Sequence, residues 1–340
     1  MLETSTISVV IPYLNSPVPL IDQLKKLIIH ADKNELRKIY IVDGGNISET
    51  KSLLSENNLQ SDKIVLIENP HKFTPQALNA GTKAALDDGA TVVQYFGAHG
   101  GFSSNFFTEL PALFEKYNYA SILTPSKGFT ESVNGFQKAV QFFSLSKLGR
   151  NWNKTHNIKK AIEGFGSGGF AAKKEVFEKT GLFDEKYIKN QDNEFIYRAV
   201  KNGFRVITVP EIKIYYETRA SISKLINQNY YYGMYVSLDP KIYGLKQNAP
   251  FLFYFSLIGC IVLGLLFKTQ NLNLMSDLFL YTAVTVSLVY YFTIFVESLR
   301  FLIKEGVSAL HLLYLFPLIH IVYAAGTLSG YIRRLFGRKF

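Results

Sequence analysis

Several short stretches carry side chains that could do chemistry. Asp43 closes an apolar run and is followed by Gly44 and Gly45. A carboxylate there can accept hydrogen bonds from a nucleoside while the bare backbone lets a ligand approach closely; an ordinary Asp-Gly turn uses the same residues. Gln191-Asp192-Asn193-Glu194 opens a helix with Phe195, Ile196 and Ala199 at its apolar positions. Acids in a first turn are commonly surface charges favoured by the helix dipole, and Glu194 with Arg198 is an i,i+4 pair. His99, in Gly97-Ala98-His99-Gly100, reads as a loop histidine or a metal ligand, with no second His, Cys or Asp at ligand spacing. The loop Gly164-Phe165-Gly166-Ser167-Gly168-Gly169 reads as a flexible turn. A dinucleotide-binding loop is excluded, because Pro12-Tyr13-Leu14-Asn15 stands where its glycines are needed, and no Gly-Lys-Ser/Thr phosphate loop occurs.

The elements that position these residues alternate. Ile7 to Ile11 is a buried parallel strand ended by Pro12, and similar runs at Ile39 to Val42, Ile64 to Ile67 and Thr91 to Phe96 follow. Leu20 to His30 has the apolar spacing of an amphipathic helix. A second helix opens with Thr74 as N-cap and Pro75 at its first position, and closes at Gly89. Strands alternating with helices imply a mostly parallel α/β sheet, whose ligands sit beyond the carboxyl ends of the strands. Those ends are Pro12 to Asn15, Asp43 to Asn46 and Gly97 to Gly101. After about residue 120 the alternation loosens, and Phe204 to Val209 reads as a further strand.

The 340-residue chain then changes character. Three apolar stretches at 251–267, 278–296 and 310–328 contain no Lys, Arg, Asp or Glu, and each is long enough for a ~30 Å hydrocarbon core. Three buried helices of a large soluble domain are the alternative, with Pro317, His311 and His320 in the third stretch as its support. Before the spans, Arg219 to Gln247 interleaves Tyr230, Tyr231, Tyr232, Tyr235 and Tyr243 with cations, as a helix at a membrane interface does. The expected organisation is a front domain over 1–218, interfacial helices over 219–249 and a membrane domain over 250–340. A single cysteine, Cys260, excludes an internal disulfide. Nothing in Met1 to Thr6 reads as an export signal. The net charge of +10 includes a terminal cluster at Arg333, Arg334, Arg338 and Lys339, which suits an anionic leaflet better than nucleic acid. The expected location is the cell membrane, multi-pass, with the front domain cytoplasmic. Three full crossings would put that cluster outside, against the positive-inside tendency, so Pro317 is read as a break in the third segment.

Ser8-Val9-Val10-Ile11-Pro12-Tyr13, Ile41-Val42-Asp43-Gly44-Gly45-Asn46, Pro75-Gln76-Ala77-Leu78-Asn79-Ala80-Gly81, Gly181-Leu182-Phe183-Asp184-Glu185 and Gln191-Asp192-Asn193-Glu194 occur in an order that resembles family 2 glycosyltransferases of the GT-A fold. The likeness covers roughly 5–235, and with the spans behind it looks like the membrane-attached exopolysaccharide members of the succinoglycan glucosyltransferase type.

The resemblance implies an inverting transfer from a nucleotide-sugar donor, UDP-linked, to a lipid-linked saccharide acceptor in cell-surface polysaccharide synthesis. It implies a donor pocket at Pro12, Tyr13, Asp43, Asn79 and Gly97. Asp192 matches the family's base on the acceptor hydroxyl, with Gly168, Glu194, Gln228 and Tyr232 on the acceptor side. The family's fourth strand normally leads into Asp-x-Asp or Asp-x-His, which helps hold Mg2+ or Mn2+ on the diphosphate. Here Gly97-Ala98-His99 takes that place, so His99 ligates the metal, or Lys72 and Arg198 supply the charge instead. The alternatives are a catalytically degenerate GT-A scaffold or regulatory membrane protein, and a nucleotidyltransferase, which would need a Gly-rich cationic loop after the first strand.

Overall fold

The protein, seen in a computed structural model, is described over residues 6–98, 100–131, 134–151, 154–164, 168–237, 242 and 244–337. It divides into two compact units, Met1–Glu131 with Lys154–Glu217, and Ser132–Asn153 with Thr218–Phe340.

The first unit is built on one mixed sheet. Its strands are β1 (Ile7–Tyr13), β2 (Lys38–Asp43), β3 (Ile64–Glu68), β4 (Val92–Tyr95), β5 (Gly101–Phe102), β6 (Ile122–Phe129), β7 (Ile162–Glu163), β8 (Ala171–Lys173) and β9 (Val206–Tyr216). The order is β3-β2-β1-β4-β8-β6-β9-β5, with β7 paired to β9. The β3-β2-β1-β4 half is parallel, as the alternation required. β8 then runs antiparallel between β4 and β6. The helices are α1 (Pro17–Asp32), α2 (Ile47–Glu56), α3 (Thr74–Asp87), α4 (Phe106–Lys116), α6 (Lys174–Thr180) and α7 (Gln191–Lys201). One apolar layer joins Val9, Ile11, Leu20, Leu24, Leu27 and Phe107. The opposite layer joins Val10, Val42, Leu78, Phe177 and Phe195. The β-strand residues alternate between the two layers, which is why their runs are continuously apolar.

Two boundaries differ from the sequence reading. Phe73, not Thr74, is the N-cap of α3, so Thr74 and Pro75 both fall in its first turn. The last strand does not end at Val209: β9 continues past Pro210 because the register against β6 shifts between Pro125 and Ser126. A bulge there removes the ladder bond that a proline could not make.

Lys38 donates to Asp88 at 3.1 Å, Arg37 at 3.3 Å and Tyr40 at 3.0 Å. These donors, Lys38 first, hold the Asp88 carboxyl below the usual carboxylate range. A depressed folded value means stability that is present above the unfolded value of about 3.9 and lost as pH falls through the folded one. Asp88→Asn should lower the unfolding temperature at pH 7, and the gap from the native chain should close in thermal melts taken on acidification below about pH 4.

The second unit contains α5 (Gly135–Leu145), α8 (Ile222–Val236), α9 (Leu245–Thr269), α10 (Asn273–Glu305), a 3-10 turn at Val307–His311, and α11 (Leu312–Leu335). α5 lies within the expected 1–218 front segment but packs here, because Ala139, Val140, Phe142 and Phe143 share a core with Leu312, Leu315 and Phe316. Three stretches, Gln247–Thr269, Asn273–Glu305 and Val307–Leu335, are long and apolar enough to cross a membrane. They contain all three expected spans. The break assigned to Pro317 is corrected: α11 runs through it, and the interruption is at Gly306, where φ is +85°. Pro317 is the sixth residue of α11, so the helix gives up the one bond to Leu313 O and continues.

α8 and α11 cross in near backbone contact. A Cβ added at Gly233 would meet Tyr323 O at 2.1 Å, and one at Gly326 would meet Tyr230 O at 2.0 Å. Glycine is required at this crossing for space, since neither residue has a positive φ.

Candidate active site

The parallel register puts Tyr13, Asp43 and Glu68 side by side at one edge of the sheet. β4 ends on the same edge, since Phe96 N donates to Val10 O at 3.2 Å, and exposed Gly97 follows. β8 runs the other way, so its entry rather than its exit lies there: Tyr95 N donates to Phe170 O at 3.0 Å. That register carries Gly168 to the edge, and Gly168 N donates to Asp192 Oδ2 at 2.9 Å. Asp192 Oδ1 accepts from Asn193 N at 3.0 Å. Two backbone donors thus fix a half-buried carboxylate in the first turn of α7. Gly168 has φ +84°, a conformation that a side chain would strain.

Asp43 is almost fully buried, and both of its oxygens are engaged. Gly45 N donates to Oδ1 at 2.7 Å and Thr50 Oγ1 donates to Oδ2 at 2.7 Å. Each oxygen keeps one lone pair, so a ligand would meet an already oriented acceptor. Tyr13 lies beside it, and burial, followed by the Asp43 charge, pushes the phenol up from its ordinary value. Pro12 is half-buried on the same strand end. The turn is crowded: a Cβ on Gly45 would meet Asn15 Oδ1 at 2.6 Å, and one on Gly44 would meet Lys72 Cα at 3.1 Å. Lys72 is exposed at that turn, with φ +62°.

Thr50 was missed in the sequence. Its signal is a hydroxyl at an otherwise apolar position of α2, seven residues after Asp43. Asn46 is the N-cap of that helix, accepting from Ser48 N at 3.0 Å, while its amide donates to Glu49 Oε1 at 2.9 Å. The helix that supplies Thr50 is therefore started by the residue closing the Asp-Gly-Gly-Asn motif.

Other expected residues serve architecture. Asn79 donates from Nδ2 to Phe183 O at 3.0 Å and to Glu185 Oε1 at 3.1 Å, and accepts from Phe183 N at 2.8 Å. It ties α3 to the Gly181–Glu185 segment. Glu194, expected on the acceptor side, is buried with both oxygens on Arg198. Arg198 also donates from Nη1 to Thr180 O at 2.7 Å and from Nη2 to Leu182 O at 2.8 Å. Its guanidinium caps the carbonyl end of α6 and is not turned to a diphosphate. Arg198→Met leaves a buried carboxylate and loose carbonyls; a loss of about 3 kcal/mol in denaturant unfolding is expected.

Gln228 and Tyr232 belong to the second unit, where Arg150 Nη2 donates to Gln228 Oε1 at 3.0 Å and Gln228 Nε2 to Tyr232 OH at 3.2 Å. His99 lies outside the described residues. Among the described residues no cluster of three or more His, Cys, Asp or Glu could hold a metal ion, and Gly97 offers no side chain.

A family model described as Glycosyl transferase family 2 matches residues 8–181. The chain belongs to that family. This family 2 glycosyltransferase is similar to succinoglycan biosynthesis protein ExoA of Rhizobium meliloti (strain 1021), 28% identical over 68% of this chain and 69% of that protein. It is also similar to a dolichyl N-acetyl-alpha-D-glucosaminyl phosphate 3-beta-D-2,3-diacetamido-2,3-dideoxy-beta-D-glucuronosyltransferase of Methanococcus voltae, 27% identical over 80% of this chain and 86% of that one. Among solved structures, S. aureus TarS 1-349 has a TM-score of 0.49 at 13% identity, covering 98% of this chain and 92% of that one. GalNAc-T7 with UDP, GalNAc and Mn2+ has a TM-score of 0.48 at 18% identity over 70% of this chain; the glycosyltransferase spans 51% of that chain. A mixed α/β front of the GT-A fold, followed by three helices long and apolar enough to cross a membrane, is the architecture of this family 2 glycosyltransferase.

Proposed function

We propose that the enzyme moves a sugar from a UDP-linked donor to a hydroxyl of a lipid-linked saccharide, with inversion, in the synthesis of a cell-surface polysaccharide. The observation that carries the reading is Asp192, a carboxylate fixed by Gly168 N at the strand edge where Asp43 waits. In this reading the acceptor hydroxyl gives its proton to Asp192 as its oxygen bonds to the anomeric carbon. The bond from that carbon to the diphosphate breaks, and the nucleoside diphosphate leaves with the electron pair. The dolichyl phosphate in one relative's name supports a lipid-carried acceptor, and the succinoglycan in the other supports a polysaccharide product.

The front domain works on the cytoplasmic face of the cell membrane. Exposed Lys72, beside Gly44, neutralises diphosphate charge. Lys72→Ala should raise the donor KM about tenfold, the value of one charge-assisted contact, in initial-rate measurements.

The full chain in lipid nanodiscs, given a panel of UDP-sugars and polyprenyl-phosphate-linked acceptors, should yield an inverted glycosidic product by NMR. Chelation and readdition of Mg2+ or Mn2+ in the same assay measures the metal requirement. Absence of both donor binding and transfer across the panel would sink the proposal; binding without turnover would favour a degenerate scaffold.

A further inference from the structure

α11 differs from the other two apolar helices in what its apolar residues touch. Leu312, Leu315, Phe316 and Ile319 are buried against α5 and Leu225 of α8. Within the most apolar window, 33% of α11 is buried inside the protein, against 6% for α9 and 11% for α10. A third of that apolar window is therefore spent on protein packing rather than offered to lipid. The large apolar residues it does expose are Leu313, Tyr314, Ile321, Leu328, Ile332 and Leu335. At 100° per residue these fall within one arc of about 100°, the width of a single face. α9 exposes Leu252, Phe255, Ile258, Ile261, Leu263 and Leu265, which spread over about 200° by the same rule.

The crossing geometry is also unlike that of a third span. α9 and α10 form an antiparallel hairpin, with Phe267 stacked on Phe279 at 5.6 Å and Tyr254 OH donating to Tyr290 OH at 3.4 Å. Two of the contacts that α11 makes with this hairpin are polar or aromatic and fix its course. His320 Nδ1 is 2.9 Å from Tyr290 OH. Tyr331 packs on Phe251 at 5.6 Å and donates to Asn248 Oδ1 at 3.1 Å. From His320 to Tyr331 is ~16 Å along α11, at 1.5 Å per residue. The matching advance along the hairpin, from Tyr254 back to Phe251 or Asn248, is only ~5–9 Å. The contacts thus advance less along the hairpin than along α11, which runs oblique to it.

α8 gives a third, independent observation. It follows α11 through the Gly233 and Gly326 contacts. Yet it has only 15 residues and carries Lys224, Asn227, Gln228 and Asn229. An α11 that crossed the bilayer would draw that polar helix into hydrocarbon with it.

We propose that only the α9–α10 hairpin crosses the bilayer, while α11 with α8 along it lies in the headgroup boundary as a surface for anionic lipid. Arg333 and Arg334, at the end of α11, supply the complementary charge. The chain beyond Leu335 then stays on the side from which α9 enters, and the conflict with the positive-inside tendency disappears. The inference does not depend on the transferase reading.

The test uses the full chain with Cys260→Ser and one cysteine returned at Gly244, Asn271 or Phe336. An impermeant maleimide is applied to inverted and right-side-out vesicles. Gly244→Cys and Phe336→Cys should label from one side and Asn271→Cys from the other. Phe336→Cys labelling with Asn271→Cys would overturn the proposal. Spin labels at Ile321→Cys and Leu328→Cys give a second reading: equal, shallow depths are expected, and a depth difference of ~10 Å, the rise of seven helical residues, would overturn it.

Discussion

Replacing Asp192 by Asn should lower kcat for transfer about 10^3-fold while donor affinity changes less than about threefold. The amide keeps the size of the carboxylate and one acceptor oxygen, so α7 retains its first turn. It cannot take a proton from the acceptor hydroxyl. A merely structural Asp192, holding the Gly168 loop through Oδ2 at 2.9 Å, would give a different pattern: donor KM and thermal stability would suffer, and kcat would not. Undiminished kcat in Asp192→Asn would remove the base assignment.

The second large effect is expected far from the chemistry. A leucine at Gly326 would drive its Cβ into a backbone oxygen, Tyr230 O at 2.0 Å, and no rotamer relieves a Cβ clash. α8 and α11 must separate, opening the core that Leu225 of α8 shares with Leu315 and Phe316 of α11. Overpacking of this kind costs about 3 kcal/mol or more, enough to abolish a monodisperse protein in detergent size-exclusion at 37 °C. Gly259→Leu in α9 is the matched control, since nothing lies within 4 Å of its added Cβ. It should elute as the native protein does. Equal behaviour of the two variants would contradict the tight crossing.

The parallel half of the sheet was readable because strands buried on both faces leave unbroken runs of Val and Ile, and helices between them leave a 3.6-residue period. The right half was not. β8 has only three residues, Ala171–Lys173, too short for any periodicity, and its antiparallel insertion between β4 and β6 is a long-range choice made by neighbouring apolar layers. The site split in the same way. Asp43 and Asp192 could be singled out because a motif puts each at an element's end. Glu194 shares the motif of Asp192 and Asn79 sits in the Pro75–Gly81 motif, yet they are occupied by Arg198 and by the Phe183 backbone, and a motif does not say which of its polar members faces the ligand. Thr50 escaped because its role depends on α2 folding back over Asp43. The long helices were legible from composition alone, but composition could not distinguish an apolar face spent on protein from one offered to lipid, as α11 demonstrates.

The place of β8 in the sheet also constrains the order in which the chain can be completed during synthesis. β4 is finished at Tyr95, but its partner begins at Ala171. Until then one side of β4 is an open strand edge with unpaired backbone groups, Val92 and Val93 among its apolar side chains. At ribosomal rates the gap lasts for roughly ten seconds, long compared with hairpin closure and long enough for edge-to-edge association. The nascent front domain is thus committed to a waiting period set by strand order, and conditions that slow translation between residues 96 and 170 should increase its aggregation without altering the stability of the finished fold.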